Sequence, residues 1–109
     1  MTSSARTPLI LSVTNSGAGL AARLSTALDG ELSLDRPVAE TLRRAFSADR
    51  PIVLVGAAGI AIRILAPLIA DKRAEPPVVV VAEDGSAVVP LLGGHRGAND
   101  LARSIGIAL

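Results

Sequence analysis

The sequence predicts an α/β fold: an open, mainly parallel sheet with helices on both faces, a three-layer sandwich, completed by a β-hairpin near residues 78–91. Three observations carry this expectation. Nearly all-apolar runs alternate with helical leucine spacing, as parallel strands covered on both faces require. Half of the 109 residues are hydrophobic and 19% are charged, which suits a single domain, 1–109, with a real core. Asp84 and Gly85 stand between two β-branched runs, the mark of a tight hairpin.

The elements follow in order. "LILSV", residues 9–13, reads as a strand, and "NSGAGLAARLSTAL" starts with turn residues and continues as a helix. "ELSL", residues 31–34, is a short alternating strand, after which Pro37 suits the first turn of a helix through "VAETLRRAF". "PIVLVG" is the next strand, with its proline at the entry, where no ladder hydrogen bond is lost. "AAGIAIRIL" reads as a helix ending near Pro67. "PVVVVAEDGSAVVPLL", residues 77–92, forms the hairpin, and "DKRAEPP", residues 71–77, is the one linker-like piece. "ANDLARSIGIAL" is helical in pattern and stops at Leu109 with its apolar face still running. It is therefore expected to belong to the N-terminal part of a longer protein.

Composition excludes several functions. Net charge is +1 and Phe46 is the only aromatic, so neither a broad positive field nor stacking platforms for bases are present, and nucleic acid is not expected as a partner. Without cysteine there is no disulfide, no thiolate nucleophile and no structural zinc site, and one histidine makes a transition-metal site improbable. No cofactor or resident metal is expected; any metal would arrive with the substrate. Residues 51–70 are long enough to span a bilayer, but Arg63 near the middle would cost about 2.5–3.5 kcal/mol, so a buried strand and helix is the better reading. The five-residue apolar run after Arg6 is too short for a secretory signal, and a cytoplasmic location is expected.

Each candidate site residue also has a plainer structural role. "GAGLAA" fits G-x-G-x-x-A, with Asp35 at the distance of a ribose-binding acid, but "TNS" holds Gly17 away from the strand end, so close helix packing is favoured over a dinucleotide turn. Gly56 and Gly59 follow the third strand, where they allow either close approach of a ligand or simply a tight turn. Arg63, with apolar residues all round it, either snorkels to the surface or points into a site. Asp71 and Lys72 are placed to return toward the mouth of the same crevice, whereas Arg73 reads as a solvated corner. In "GGHRGAN" the glycines, among them Gly94 and Gly97, expose backbone N–H groups, and the helix starting near Ala98 adds its partial positive charge. Arg96 offers a cation, Asn99 an amide, and His95 a group able to take or give a proton near neutral pH. A lone histidine usually caps a helix or faces water; so many polar groups and glycines in seven residues favour a site. A helix N-terminus contributes roughly 0.3–1 kcal/mol toward an anion and a charge-assisted hydrogen bond roughly 1.5–3 kcal/mol. A ligand carrying several carboxylates would engage Arg63, Lys72, Arg96 and the helix end together, on one concave rim.

"GIAIRILAPLIADKRAEPPVVVVAEDG" and "LLGGHRGANDLA" follow the pattern G-I-x-x-R-x-x-A-P-L-x-x-D-K, then D/E-P-x-V-V-V, then L-L-S-G-H-x-G-G-A-N-x-L-A. On these motifs the chain resembles the N-terminal domain of the cobalamin-biosynthesis G proteins, the cobalt-precorrin-5A hydrolases. "SVTNSGAGLAARL" is similar to the family's T-x-x-G-x-x-L-A start, which extends the resemblance over the whole chain. The resemblance implies opening of the ring-A δ-lactone of a cobalt-precorrin, a polycarboxylate tetrapyrrole, with release of acetaldehyde. It carries onto Gly59, Arg63, Asp71, Lys72, Gly94, His95, Gly97 and Asn99. The third motif departs from the family: it is one glycine shorter, and Gly93 replaces the serine. This shortened form resembles copies fused ahead of a precorrin-3B C(17)-methyltransferase. Two functions are thus expected as alternatives. In one, His95 is the general base for lactone opening, with Arg96, Asn99 and loop N–H groups steadying the oxyanion. In the other, the domain is a non-catalytic corrinoid-binding or tethering module, and any methyl transfer resides beyond Leu109.

Overall fold

Val, Ile and Leu fill both faces of the strands, and this sets the layering. The computed structural model describes residues 7–70 and 74–109. β1 (Leu9–Ser12), β2 (Glu31–Leu32), β3 (Ile52–Val55), β4 (Val78–Val81) and β5 (Val88–Leu92) form one sheet in the order β2-β1-β3-β4-β5. The first four strands are parallel, with Leu9 opposite Ile52 and Ile52 opposite Val78; β5 runs antiparallel to β4, with Val81 opposite Val88. The sheet is therefore mainly parallel and ends in the predicted hairpin.

Alternation sends neighbouring side chains to opposite layers. Leu9, Leu11, Ile52, Leu54, Val78 and Val80 pack under α2 (Val38–Ser47) and α3 (Ala58–Leu65), which contribute Leu42, Phe46, Ala61 and Leu65. Ile10, Val53, Val55, Val79 and Val81 pack under α1 (Ala18–Ala27) and α4 (Ala98–Ala108), which contribute Leu20, Leu24 and Ile105. Among the described residues no helix is long and apolar enough to cross a membrane. The apolar stretch 51–70 is divided instead into β3, α3 and a 3₁₀ turn at Ala66–Leu68 that contains Pro67.

Three boundaries differ from the sequence reading. β2 is two residues long because only Glu31 and Leu32 find partners on β1. Pro37 caps α2 in an extended conformation instead of entering its first turn. Of the expected linker, the described part is packed structure: Glu75, Pro76 and Pro77 are buried.

The hairpin turn places Gly85 at φ +77, with its N–H on the Ala82 carbonyl at 2.8 Å. Hydrogen bonds from Ser86 hold the Asp84 carboxyl below the usual aspartate range. Its contribution to stability is therefore complete above the unfolded-state value and is lost as pH falls through the lower folded-state value. In Ser86→Ala, the Asp84 midpoint measured by carboxyl NMR should move upward.

Candidate functional site

Every parallel strand delivers its carboxyl end to one edge of the sheet. In this strand order the topological switch point lies between β1 and β3, where open α/β sheets commonly bind ligands. A crevice of about 530 Å³ lies there, lined by Val13, Thr14, Gly56, Ala57, Ile60 and Glu83 among others. The Thr14 hydroxyl donates to Glu83 and ties the ends of β1 and β4 together across it. Gly17 is a packing residue, since a Cβ there would lie 2.8 Å from Val55 Cγ1. Asn15–Gly17 form a 3₁₀ turn between the strand and α1, and the dinucleotide arrangement is not made.

Gly56 likewise has no room, a Cβ falling 2.6 Å from Val13 Cγ2, whereas Gly59 in the first turn of α3 has open space around it. Packing accounts for the first and not the second. Alanine at position 59 should raise stability by about 0.5–1 kcal/mol through helix propensity, measured by urea unfolding. If binding weakens in the same variant, ligand backbone approach explains the glycine.

The opposite edge is built by the antiparallel strand. Because Leu92 pairs with Val78, β5 releases the chain at the amino-terminal edge of its parallel neighbours, and residues 93–99 lie there. Gly93, at φ +76, lies against the 76–77 backbone; a Cβ would sit 2.4 Å from the Pro76 carbonyl oxygen. Gly97, at φ +103, turns the chain from a 3₁₀ turn at Gly94–Arg96 into α4. Both positions need glycine's access to positive φ.

Arg96 crosses this edge. Its guanidinium grips Asp49 with two hydrogen bonds, Nη2 reaching Oδ2 at 2.8 Å, and Nη1 also donates to the Ala74 carbonyl at 3.0 Å. Asp49 raises the guanidinium pKa further above its ordinary range. The arginine thus joins three loops: the end of α2, the segment entering β4, and the turn before α4.

The expected residues divide between these places. Gly59 belongs to the carboxyl edge. Gly94, His95, Arg96, Gly97 and Asn99 share the amino edge, where His95 and Asn99 are exposed. Among the described residues neither has a hydrogen-bonding partner for its side chain. Arg63 lies in the last turn of α3, exposed and without an ion-pair partner among the described residues, one helical turn from Gly59 on the same outward face. Asp71 and Lys72 fall outside the described residues; Ala74, shortly after them, is held by Arg96. The antiparallel strand separates the histidine turn from Gly59, and Asp49 engages the arginine expected to meet the ligand; the expected rim also draws on Lys72, which lies outside the described residues. Asp100, in the first turn of α4, pairs with Arg103 at 3.0 Å, which offsets its charge beside Asn99. The N–H groups of Asn99 and Asp100 in that turn have no intrahelical acceptor.

Sequence reasoning missed two acids at this edge. Asp49 carried no motif, although its place between a helix and a strand marks a loop near the next strand's start. Glu75 lay inside what read as a linker, yet it is 7% exposed.

Comparison with known proteins places this architecture. A family model described as cobalamin synthesis G N-terminal matches residues 40–109. A cobalt-precorrin-5A hydrolase of Salmonella typhimurium is 40% identical over 104 residues, covering 84% of this chain and 30% of that protein. A cobalt-precorrin-5A hydrolase of Priestia megaterium is 35% identical over 65 residues, covering 59% of this chain and 17% of that protein. The crystal structure of a cobalamin biosynthesis protein G homologue from Sulfolobus solfataricus superposes with a TM-score of 0.76 at 27% identity, over 94% of this chain and 34% of that one. The chain spans about a third or less of the length of each of these relatives.

Proposed function

Because the chain belongs to the cobalamin synthesis G N-terminal family, we propose that it serves cobalamin biosynthesis by binding a polycarboxylate tetrapyrrole, a precorrin or cobalt-precorrin, at the amino-terminal edge of its sheet. One observation carries this reading. The glycine-framed turn at residues 93–97 presents an exposed imidazole, an exposed amide and the uncommitted N–H groups of the α4 first turn on one short stretch of chain. A carboxylate placed there accepts from all of them, with the helix dipole favouring its charge.

The hydrolytic form of the proposal uses the same groups. His95 takes a proton from water as the water oxygen attacks the lactone carbonyl, while Asn99 and backbone N–H groups receive the oxyanion. His95 has no partner among the described residues to fix its ring, as a general base ordinarily has. That favours a second reading, in which this domain holds the corrinoid for chemistry performed by another domain, such as a fused methyltransferase.

Titration with cobalt-precorrin-5A, followed by absorbance, tests the binding claim. His95→Ala and Asn99→Ala should each weaken binding roughly tenfold or more, the loss expected when a hydrogen bond to a charged group is removed at about 1.5–3 kcal/mol. Asp35→Ala, beyond β2, should leave it unchanged. Undiminished binding in both site variants would overturn the assignment. Acetaldehyde release that disappears in His95→Ala separates hydrolysis from binding alone.

A further inference from the structure

The histidine turn is anchored at two points, and the second is a side chain. Gly93 presses on the 76–77 backbone, and its carbonyl accepts from the N–H groups of Arg96 at 2.9 Å and Ala98 at 3.2 Å. Gly94 and Gly97 have open space around them among the described residues, so packing holds neither. Glycine backbone loses the most freedom on ordering, and a turn this rich in it needs a further restraint to present one geometry. Arg96 provides that restraint. Its Nη2 donates to Asp49 Oδ2 at 2.8 Å, and its Nη1 donates both to the other carboxylate oxygen and, at 3.0 Å, to the Ala74 carbonyl. The side chains of Arg96 and Asp49 are 37% and 41% exposed, so as a surface pair they add little to overall stability. The forked geometry acts locally instead, fixing the residue next to His95.

Asp49 is itself held firmly. It follows α2 at φ +61, with its N–H on the Phe46 carbonyl and the Arg50 N–H on the Ala45 carbonyl, both at 3.1 Å. Glycine is the usual residue at such a helix end. α1 ends in the same way at Asp29, φ +52, which has no ion pair among the described residues. The two aspartates share a backbone role and differ in the arginine.

We propose that Arg96 is a positioning residue: by clasping Asp49 and the Ala74 carbonyl, it holds the turn that carries His95 and Asn99 in the arrangement that receives a ligand carboxylate. This rests on the tetrapyrrole reading and gives the arginine a new part in it, as a brace for its neighbours in place of a cation for the ligand. If Arg96 met the ligand directly, removing Asp49 would tighten binding, because an opposing acid leaves and the guanidinium is released. If Arg96 is a brace, the same change weakens binding. The sign of one substitution therefore separates the two roles.

Asp49→Gly is that substitution, since glycine suits the backbone of the position and preserves the helix end. Titration of the 109-residue chain with cobalt-precorrin-5A, followed by absorbance, should show binding weakened on the order of fivefold, as when a ligand must order a turn that was previously preorganised. Asp29→Gly removes the same charge at the same kind of helix end and should leave affinity unchanged. Arg96→Lys keeps the charge without the fork, and should weaken binding as much as Arg96→Ala. Where His95→Ala weakens binding, an affinity equal to or above the parent's in Asp49→Gly, or retained in Arg96→Lys, would overturn the proposal. ¹⁵N relaxation of the ligand-free chain gives a second readout: the amide order parameters of Gly94, His95 and Gly97 should fall in Asp49→Gly and Arg96→Lys and hold in Asp29→Gly. Unchanged order in the first two variants also contradicts the brace. Lost order together with undiminished binding in His95→Ala and Asn99→Ala supports the brace and overturns the tetrapyrrole reading, so the two assignments fail distinguishably.

Discussion

Gly93→Ala should destabilise the fold by about 2–4 kcal/mol, combining the cost of left-handed backbone for an L-residue with overpacking against a fixed neighbour. The neighbour is backbone: the added Cβ would meet the Pro76 carbonyl oxygen at 2.4 Å and Pro77 Cα at 2.6 Å, and neither can rotate away. For a domain of this size the melting temperature should fall by at least about 10 °C. The glycines around it provide internal controls. Gly97→Ala incurs only the backbone strain, roughly 1–2 kcal/mol, because its φ is +103 and nothing lies within 4 Å. Gly94→Ala has open space and no positive φ, and should be near neutral. Urea unfolding of the three variants should rank them in that order, and equal losses would mean that residues 93–97 do not pack as described.

The second large effect lies in the core. Leu54 is fully buried on the face covered by α2 and α3, in the strand with parallel neighbours on both sides. Leu54→Ala should cost about 2–5 kcal/mol, the lost transfer energy plus the cavity left in a layer that cannot close over it. Ile107 in α4 is 82% exposed, and Ile107→Ala should fall within about 0.5 kcal/mol of the parent. The contrast is measurable in one denaturation series.

Much of the fold was legible because parallel strands buried on both faces have a distinctive composition. The runs at residues 9–13, 51–56 and 77–81 became β1, β3 and β4, and the Asp84–Gly85 turn identified the hairpin. β2 was overextended because its partner offers only two register positions, a tertiary fact that alternation cannot express. The site was less legible for a geometric reason. The hairpin implies that β5 is antiparallel and hence that His95 emerges at the amino edge, away from Gly59. Sequence spacing lists residues along the chain and does not say which edge of the sheet they reach. Arg96 read as a free cation because Asp49 is distant in sequence, and Glu75 read as linker because burial of a segment between two prolines and a charged run leaves no periodic trace. The folding of "GAGLAA" into a packed helix start was anticipated by the displacement of Gly17 from the strand, and the 2.8 Å approach to Val55 supplies the reason.

Ligand placement is the question that matters most, because two edges compete: the crevice beside Thr14, Gly56 and Glu83, and the turn bearing His95 and Asn99. Backbone amide shifts of the ¹⁵N-labelled chain, recorded by NMR during titration with cobalt-precorrin-5A, decide between them. The amides of Gly94, His95, Gly97, Asn99 and Asp100 should move together and saturate, while those of Thr14, Gly56 and Glu83 stay in place. Movement confined to the second group would put the tetrapyrrole at the switch point and contradict the assignment made for residues 93–99.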